Sequence, residues 1–563
     1  MKYSELCETY EELEKNPSRL KKTEILANFL KKLKSNADTI YLLQGKIYPD
    51  YSEKEIGISD KLIIKALAKA SGISDSEILN KWRKLGDLGK VSEEIIGNKK
   101  QHTLFSHKLT VDKILENVRK LPELEGQGTV DKKMSLISEL LTSADGKEAK
   151  FIVRTLLQDL RIGVADGTLR DAIVKACFDQ EEDKKQITGI IQDTYDKTID
   201  WKIVFEKAKR GIKALEDSSL EPGRPVKVML FLKENSIEEG FMRVGRPALL
   251  DYKYDGFRMM INKEENGEIK IFTRRLDNVT KQFPEVKRYV EKYVQGKSFI
   301  LDSEAVGYDV KTKKYRPFQE ISQRIKRKYD IERLEKELPI EINVFDILFY
   351  NGKSLIKEPF KERRKILEKI IKKEPLKIRP SEALITDDLK MAKSFYKKAL
   401  DNGEEGIMMK NLDAPYKPGA RVGFGVKIKP VDNEFDLAII GAEYGTGKRA
   451  GWLTSYDLAC RHGEELLEIG KVSTGLKEKE EEGLSFIELT KKLKPLILSE
   501  SGRNVKVKPE IVVTVVYQNI QKSPTYSSGF ALRFPRITRL RPDRSIDDIA
   551  RLAEIKKEVE KSI

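Results

Sequence analysis

The chain holds only three cysteines, Cys7, Cys177 and Cys460. Their wide spacing argues against a disulfide framework and excludes a zinc site built from four cysteines of this chain. Histidine is equally scarce, at His102, His107 and His462. A mechanism that passes protons among several imidazoles is therefore disfavoured, and chemistry falls to lysine, arginine and carboxylates. No apolar run is long enough to cross a bilayer. The opening "MKYSELCETYEELEK" has neither the basic start nor the apolar core of a secretory leader. No membrane association and a cytoplasmic location are expected.

The 563 residues are 39% hydrophobic and 35% charged, the balance of a globular protein, and their length predicts three or four domains. The net charge of +16 is an excess that favours a polyanionic partner, with nucleic acid first among them. Abundant lysine and glutamate with little cysteine is a thermophile's balance.

Up to about residue 215 the apolar spacing is helical. In "DKKMSLISELLTSADG" the residues Met134, Ile137, Leu140, Leu141 and Ala144 line one face before "SADG" breaks the pattern. Thr168 and Asp171 in "TLRDAIVKAC" predict a capping box that opens another helix. Pro222, Gly223 and Pro225 in "SSLEPGRPVKVM" mark a linker. Strand-like and helical runs then alternate, which predicts a mixed α+β domain. From about residue 431 short strands with glycine-rich turns predict a small β-barrel, and "SIDDIARLAEIKKEVEKSI" a terminal helix. The expected boundaries are 1–215, 216–430 and 431–563.

The second region carries an ordered set of charged residues at strand ends. "KYDGFR" holds Lys253 and Arg258, with Asp251 two residues before the lysine, and "FTRRLD" holds Arg274. Asp302 and Glu304 follow in "LDSEAV", Phe345 and Asp346 in "VFDIL", Glu405 and Lys410 in "EEGIMMK", then Arg421, Lys427 and Lys429. Each piece alone is what any half-exposed strand shows. In this order the set resembles the adenylation domain of the covalent nucleotidyltransferases. The upstream "LGDLGKVSEE" and "LLQDLRIGVADGTLRDA", and the downstream "ALRFPRITRLRPDR" with Arg541, Asp543 and Arg544, narrow the resemblance to the ATP-dependent DNA ligases of the archaeal and eukaryotic replicative type.

The resemblance implies a three-part enzyme: an all-α DNA-binding domain, an α+β nucleotidyltransferase domain and an OB-fold β-barrel. It implies a reaction on nicked duplex DNA in replication, repair and recombination. Lys253 would take AMP from ATP, AMP would pass to the 5′-phosphate at the nick, and the 3′-hydroxyl would displace it. A lysine attacks only as the neutral amine, so this chemistry needs neighbouring cations and a dry pocket. Arg258, Arg274, Arg421, Lys427 and Lys429 would supply the cations and hold phosphate oxygens. Glu304 and Glu405 would hold Mg²⁺, with Mn²⁺ as a substitute. Phe345 would offer a flat face to adenine, beside Asp251 and Lys410, and Arg541 and Asp543 would reach the β- and γ-phosphates.

Two positions depart from the family pattern: Asp251 stands where Glu is usual, and Gly425 where Trp is usual. A monomer is expected. Gln101, Leu104 and Phe105 in "KKQHTLFSHKLT" resemble the short motifs that bind a sliding clamp, against the alternative of a hydrophobic staple. Three scattered cysteines rule out the zinc module of an NAD-dependent ligase. Another nucleotidyltransferase, such as an RNA ligase or a capping guanylyltransferase, and a non-catalytic DNA clamp remain as alternatives.

Overall fold

The computed structural model describes all residues except 34–36, 53, 55, 99–107, 125–127, 317, 326, 328, 431–432, 446–448, 450, 479–483 and 562–563. The segment with Gln101, Leu104 and Phe105 thus lies outside the described residues. The chain divides into two compact units, Met1–Lys429 and Pro430–Ile563.

The first unit begins with helices, from Tyr3–Lys15 to Ile212–Glu216. Side-chain caps set many of their starts, as oxygens accept the backbone N–H groups a first turn leaves without partners. Ser59 accepts from Leu62 N, Asp87 from Gly89 N, and Asp200 from Lys202 N. Asp145 and Glu148 form a capping box at helix Gly146–Leu156, so "SADG" both ends one helix and starts the next. The box expected at Thr168 and Asp171 is absent. Helix Asp166–Cys177 starts three residues earlier, with Ala165 at its N-cap. Thr168 is buried inside its first turn, while Asp171 accepts from Arg19 at 2.7 Å. A cross-helix ion pair has taken the carboxylate from its local role. Ile137, Leu140 and Leu141 are buried as their spacing predicts.

No helix or strand lies between Glu216 and Leu230. The strands of the first unit then follow: β1 (Leu230–Glu234), β2 (Ala248–Tyr252), β3 (Phe257–Lys263), β4 (Ile269–Thr273), β5 (Phe299–Gly307), β6 (Ile340–Tyr350), β7 (Lys353–Ser354), β8 (Ile378–Pro380), β9 (Ala383–Thr386), β10 (Ile407–Asn411) and β11 (Arg421–Ile428). They form two sheets. One runs β1-β11-β10-β2-β9, and the other β4-β3-β5-β6-β7 with β8 beside β6. Strand β5 is buried along its length apart from Glu304, yet it carries Asp302 and Ser303 in that dry environment. Buried polar groups of this kind persist only when partnered.

In the second unit, β12 (Asn433–Tyr444), β13 (Leu453–His462), β14 (Glu465–Val472), β15 (Ile497–Ser501), β16 (Asn504–Val507), β17 (Val512–Tyr517) and β20 (Arg536–Leu540) form one sheet, while β18 (Asn519–Lys522) and β19 (Phe530–Arg533) pair separately. The terminal helix is shorter than expected. A one-turn 3₁₀ segment at Ile546–Asp548, capped by Ser545, precedes helix Leu552–Lys561. Among the described residues no helix is long and apolar enough to cross a membrane.

Candidate active site

Lys253 lies in the loop between β2 and β3, braced by backbone on both sides. Its N–H donates to Gly406 O at 2.9 Å, and its carbonyl accepts from Glu405 N at 2.9 Å. Two glycines make this approach possible. A Cβ on Gly256 would stand 2.3 Å from Ala305 O, and one on Gly406, at φ +138°, would stand 2.2 Å from Ile428 O. Side chains are excluded at both positions, which explains the glycine in "KYDG" and in "EEG".

The Lys253 ammonium pairs with Glu405, which also pairs with Lys429. Burial raises the Glu405 carboxyl, but the two lysines outweigh it and hold the group well below the usual carboxylate range. Lys427 is lowered as well, by burial and by Lys253, Lys429, Arg421 and Arg274, a shift that disfavours its charge where that of Glu405 favours it. These five cations therefore share one neighbourhood, although they come from the nucleophile loop, the end of β4 and both ends of β11.

From the other sheet, Arg258 on β3 stands directly opposite Glu304 on β5. Asp302, fully buried, grips Arg258 with both oxygens, the Nε contact at 2.8 Å. Arg258 also donates to Met229 O at 2.8 Å, and Tyr416 donates to Asp302 at 2.9 Å. Burial pushes the Glu304 carboxyl up to about 8 against the pull of Lys253 and Arg258, with Glu405 and Asp302 adding to the rise. Two carboxylates thus share a crowded space, and one of them resists ionisation.

A third group joins these through Phe345. Lys410 on β10 pairs with the buried Asp251 on β2 and sits 4.8 Å from the rings of both Phe345 and Phe360. Asp251 also accepts from Ser381 at 2.9 Å, and Ser381 is held by Arg364 at 2.8 Å. The half-buried Phe345 carries the Arg258 guanidinium 5.3 Å from its ring centre. Asp346 turns away from this group. It forms a two-pronged buried pair with Arg363, at 2.8 and 2.9 Å, a structural role.

The first unit thus gathers Lys253, Asp251, Arg258, Arg274, Glu304, Phe345, Glu405, Lys410, Arg421, Lys427 and Lys429 from two sheets. Arg541 and Asp543 belong to the second unit. There Asp543 binds Arg541 at 3.0 and 2.8 Å, and Asp436 ties Arg541 at 2.7 Å and Arg544 at 3.2 Å. The sequence reading missed Met229, Tyr416, Ser381 and Arg364, which act as supports. Nothing in their local pattern distinguishes them, since their partners lie far away in the chain. Elsewhere in the second unit Phe534 is 64% exposed at φ +51°, beside Arg533.

A lysine ringed by cations and faced by carboxylates from a second sheet points to the covalent nucleotidyltransferases as a class. Three family models match in chain order: DNA ligase N terminus over residues 2–174, ATP dependent DNA ligase domain over 228–429, and ATP dependent DNA ligase C terminal region over 449–544. The DNA ligase of Nanoarchaeum equitans is 44% identical over 99% of this chain and 98% of its own. That of Thermococcus fumicolans is 39% identical over the same shares. A solved structure, Pmar-Lig_Pre, covers 95% of this chain and 99% of its own at 17% identity with a TM-score of 0.52, a likeness that bears on the fold alone. The chain belongs to the ATP-dependent DNA ligases, enzymes that use ATP to seal nicks in DNA.

Proposed function

We propose that Lys253 is the residue that carries AMP between ATP and the nicked strand. The observation that supports this most is the clamp of the Lys253 backbone between Gly406 O and Glu405 N, with its side-chain nitrogen held by Glu405 among four other cations. The Lys253 nitrogen, having lost its ammonium proton to water, would form a bond to the α-phosphorus as it gives up a second proton to solvent, while the bond from that phosphorus to the α,β-bridging oxygen breaks and pyrophosphate leaves with that oxygen. Lys427, Lys429, Arg274 and Arg421 would hold phosphate oxygens and offset their charge. Arg258, fixed by Asp302, would hold Phe345 and the cleft edge in place, while Lys410 and Asp251 would border the base.

Glu304 and Glu405 would hold Mg²⁺, with Mn²⁺ as a substitute. Among the described residues no group of three or more His, Cys, Asp or Glu could hold a metal alone. Two carboxylates that resist joint ionisation suit an ion that takes few protein ligands and completes its shell with water and substrate phosphates. Such an ion supplies charge stabilisation to the transferring phosphoryl group.

The second unit would serve as the OB-fold domain, with Arg541 and Asp543 offered to the β- and γ-phosphates. The boundaries 1–215, 216–430 and 431–563 would be those of the working domains, in a cytoplasmic monomer. Phosphate contacts from the helical domain would supply most of the DNA affinity. The loop with Gln158, Arg161 and Gly163 at positive φ leads into a helix whose N-cap, Ala165, offers no side-chain oxygen, leaving N–H groups for a phosphate. Gln101, Leu104 and Phe105 would bind the sliding clamp. Replacing Leu104 and Phe105 with alanine should weaken clamp binding and spare sealing by the ligase alone.

The whole reading is tested with ATP labelled at the α-phosphate. The protein should become labelled, lose the label to nicked duplex DNA, and take up none as Lys253→Arg, whose guanidinium keeps its proton. A labelled Lys253→Arg chain would overturn it.

A further inference from the structure

Gly425 lies in the interior of β11, where a glycine has no side chain to pack. Its place there has a local cause. A Cβ at this position would stand 2.4 to 2.6 Å from three ring atoms of Phe231 on β1. The neighbouring strands β1 and β11 run parallel, with an irregularity between Phe231, opposite Val422, and Leu232, opposite Val426. The extra residues of β11, Gly423 to Gly425, fall at the point where the Phe231 ring crosses. The ring fills, from the adjacent strand, the space that a side chain at 425 would enter.

The side of the sheet on which this happens matters. Lys410 pairs with Gly425 and Met408 with Lys427 across β10 and β11, and Met408 pairs with Asp251 across β10 and β2. Cross-strand partners share a face, so the vector from Gly425 that Phe231 occupies points to the side bearing Lys410, Lys427 and Asp251. The ring packs there against a buried cluster that includes Met229 and Tyr416 with Met260 on β3 and Ile300 on β5. Met229 and Tyr416 are the groups that meet Arg258 and Asp302.

We infer that Phe231 is a positioning residue of the nucleotide site. Its ring, standing where a side chain at 425 would stand, sets the spacing between the sheet bearing Lys253, Lys410 and Lys427 and the sheet bearing Arg258 and Glu304. The reaction draws on groups from both sheets, so a ring removed from between them misplaces one set against the other. Phe231 and Gly425 are then a reciprocal pair, in which a large residue is tolerated at one position or the other but not at both.

The test is a double-mutant cycle in the full chain, with lysyl-AMP formation measured at saturating ATP and folding checked by thermal melting. F231A should slow the step by up to about 10²-fold, the scale of a misplacement near 1 Å. G425W should be at least as slow. F231A/G425W should return to within about threefold of the parent, well above the product of the single effects. If the tryptophan variants do not fold, G425A and F231L/G425A run the same cycle. Additive effects would overturn the inference, as would an F231A chain that melts earlier but reacts at the parent rate. The inference rests on Lys253 as nucleophile. A K253A chain that still accepts AMP would sink that reading, whereas additivity beside a silent K253A would sink the inference alone.

Discussion

Two buried arginines of the first unit show how its helical and sheet regions differ. Arg154, 2% exposed, is held by Asp87 at 2.7 Å and Glu14 at 3.0 Å, with Lys150 joining Glu14 at 2.8 Å. Every charge in that group answers another, and the group ties three helices together. Arg258 is gripped just as firmly by Asp302, but its group leads onward to Glu304, Glu405 and Lys253, where like charges crowd and one carboxyl resists ionisation. Closed polar networks hold a fold. A network left unbalanced at one edge is what a charged substrate completes.

The largest effect that would sharpen this contrast lies at the unbalanced edge. Glu304→Ala and Glu405→Ala should each slow metal-dependent sealing by roughly 10² or more; Glu304→Ala should melt near the parent temperature, and Glu405→Ala, which removes the shared partner of Lys253 and Lys429, should melt earlier. Parent-like metal titration curves for both variants would show that these carboxylates only pair with neighbouring cations.

The closed network should behave in the opposite way. Arg154→Met leaves Asp87 and Glu14 without their main partner, and breaking a buried pair costs about 3–5 kcal/mol. The variant should lose that much stability in denaturant titrations yet form lysyl-AMP at the parent rate at temperatures where it is folded. Asp302→Asn should lose both, since it frees Arg258 within the site. Equal behaviour of the two variants would erase the distinction between the regions.

A smaller effect concerns pH. Burial pushes the Glu404 carboxyl up to about 8, partly offset by the N–H of Asp255. A carboxyl whose value is higher when folded than when unfolded favours the fold while protonated. That contribution is present below the unfolded value near 4.5 and is lost as pH rises toward 8. Glu404→Gln should therefore remove part of the stability decline between about pH 5 and 8, by an amount on the order of a few kcal/mol. Parallel stability curves for parent and variant across that range would exclude it.

The same two regions differ in what their sequences disclose. The helical region is legible through spacing: Ile137, Leu140 and Leu141 fall on a buried face as their period demands. Its caps are less so, because Asp171 had a distant partner in Arg19 that no local pattern reveals. In the sheet region the charged residues were legible as an ordered set, and the glycines in "KYDG" and "EEG" have a steric cause that the structure supplies. Their supports were not. Tyr416 and Met229 reach Arg258 and Asp302 from distant parts of the chain, and Phe231 fills the place of residue 425 from another strand. Pairings of this kind are set by sheet order, which spacing alone does not determine.

The chemistry turns on which atom carries AMP. Incubating the full chain with ATP and Mg²⁺ in the absence of DNA, then mapping the modified peptide by mass spectrometry, tests this directly. The AMP adduct should sit on Lys253 alone and vanish when nicked duplex is added. An adduct on Lys427, Lys429 or any other residue, or one that persists in the presence of nicked DNA, would contradict it.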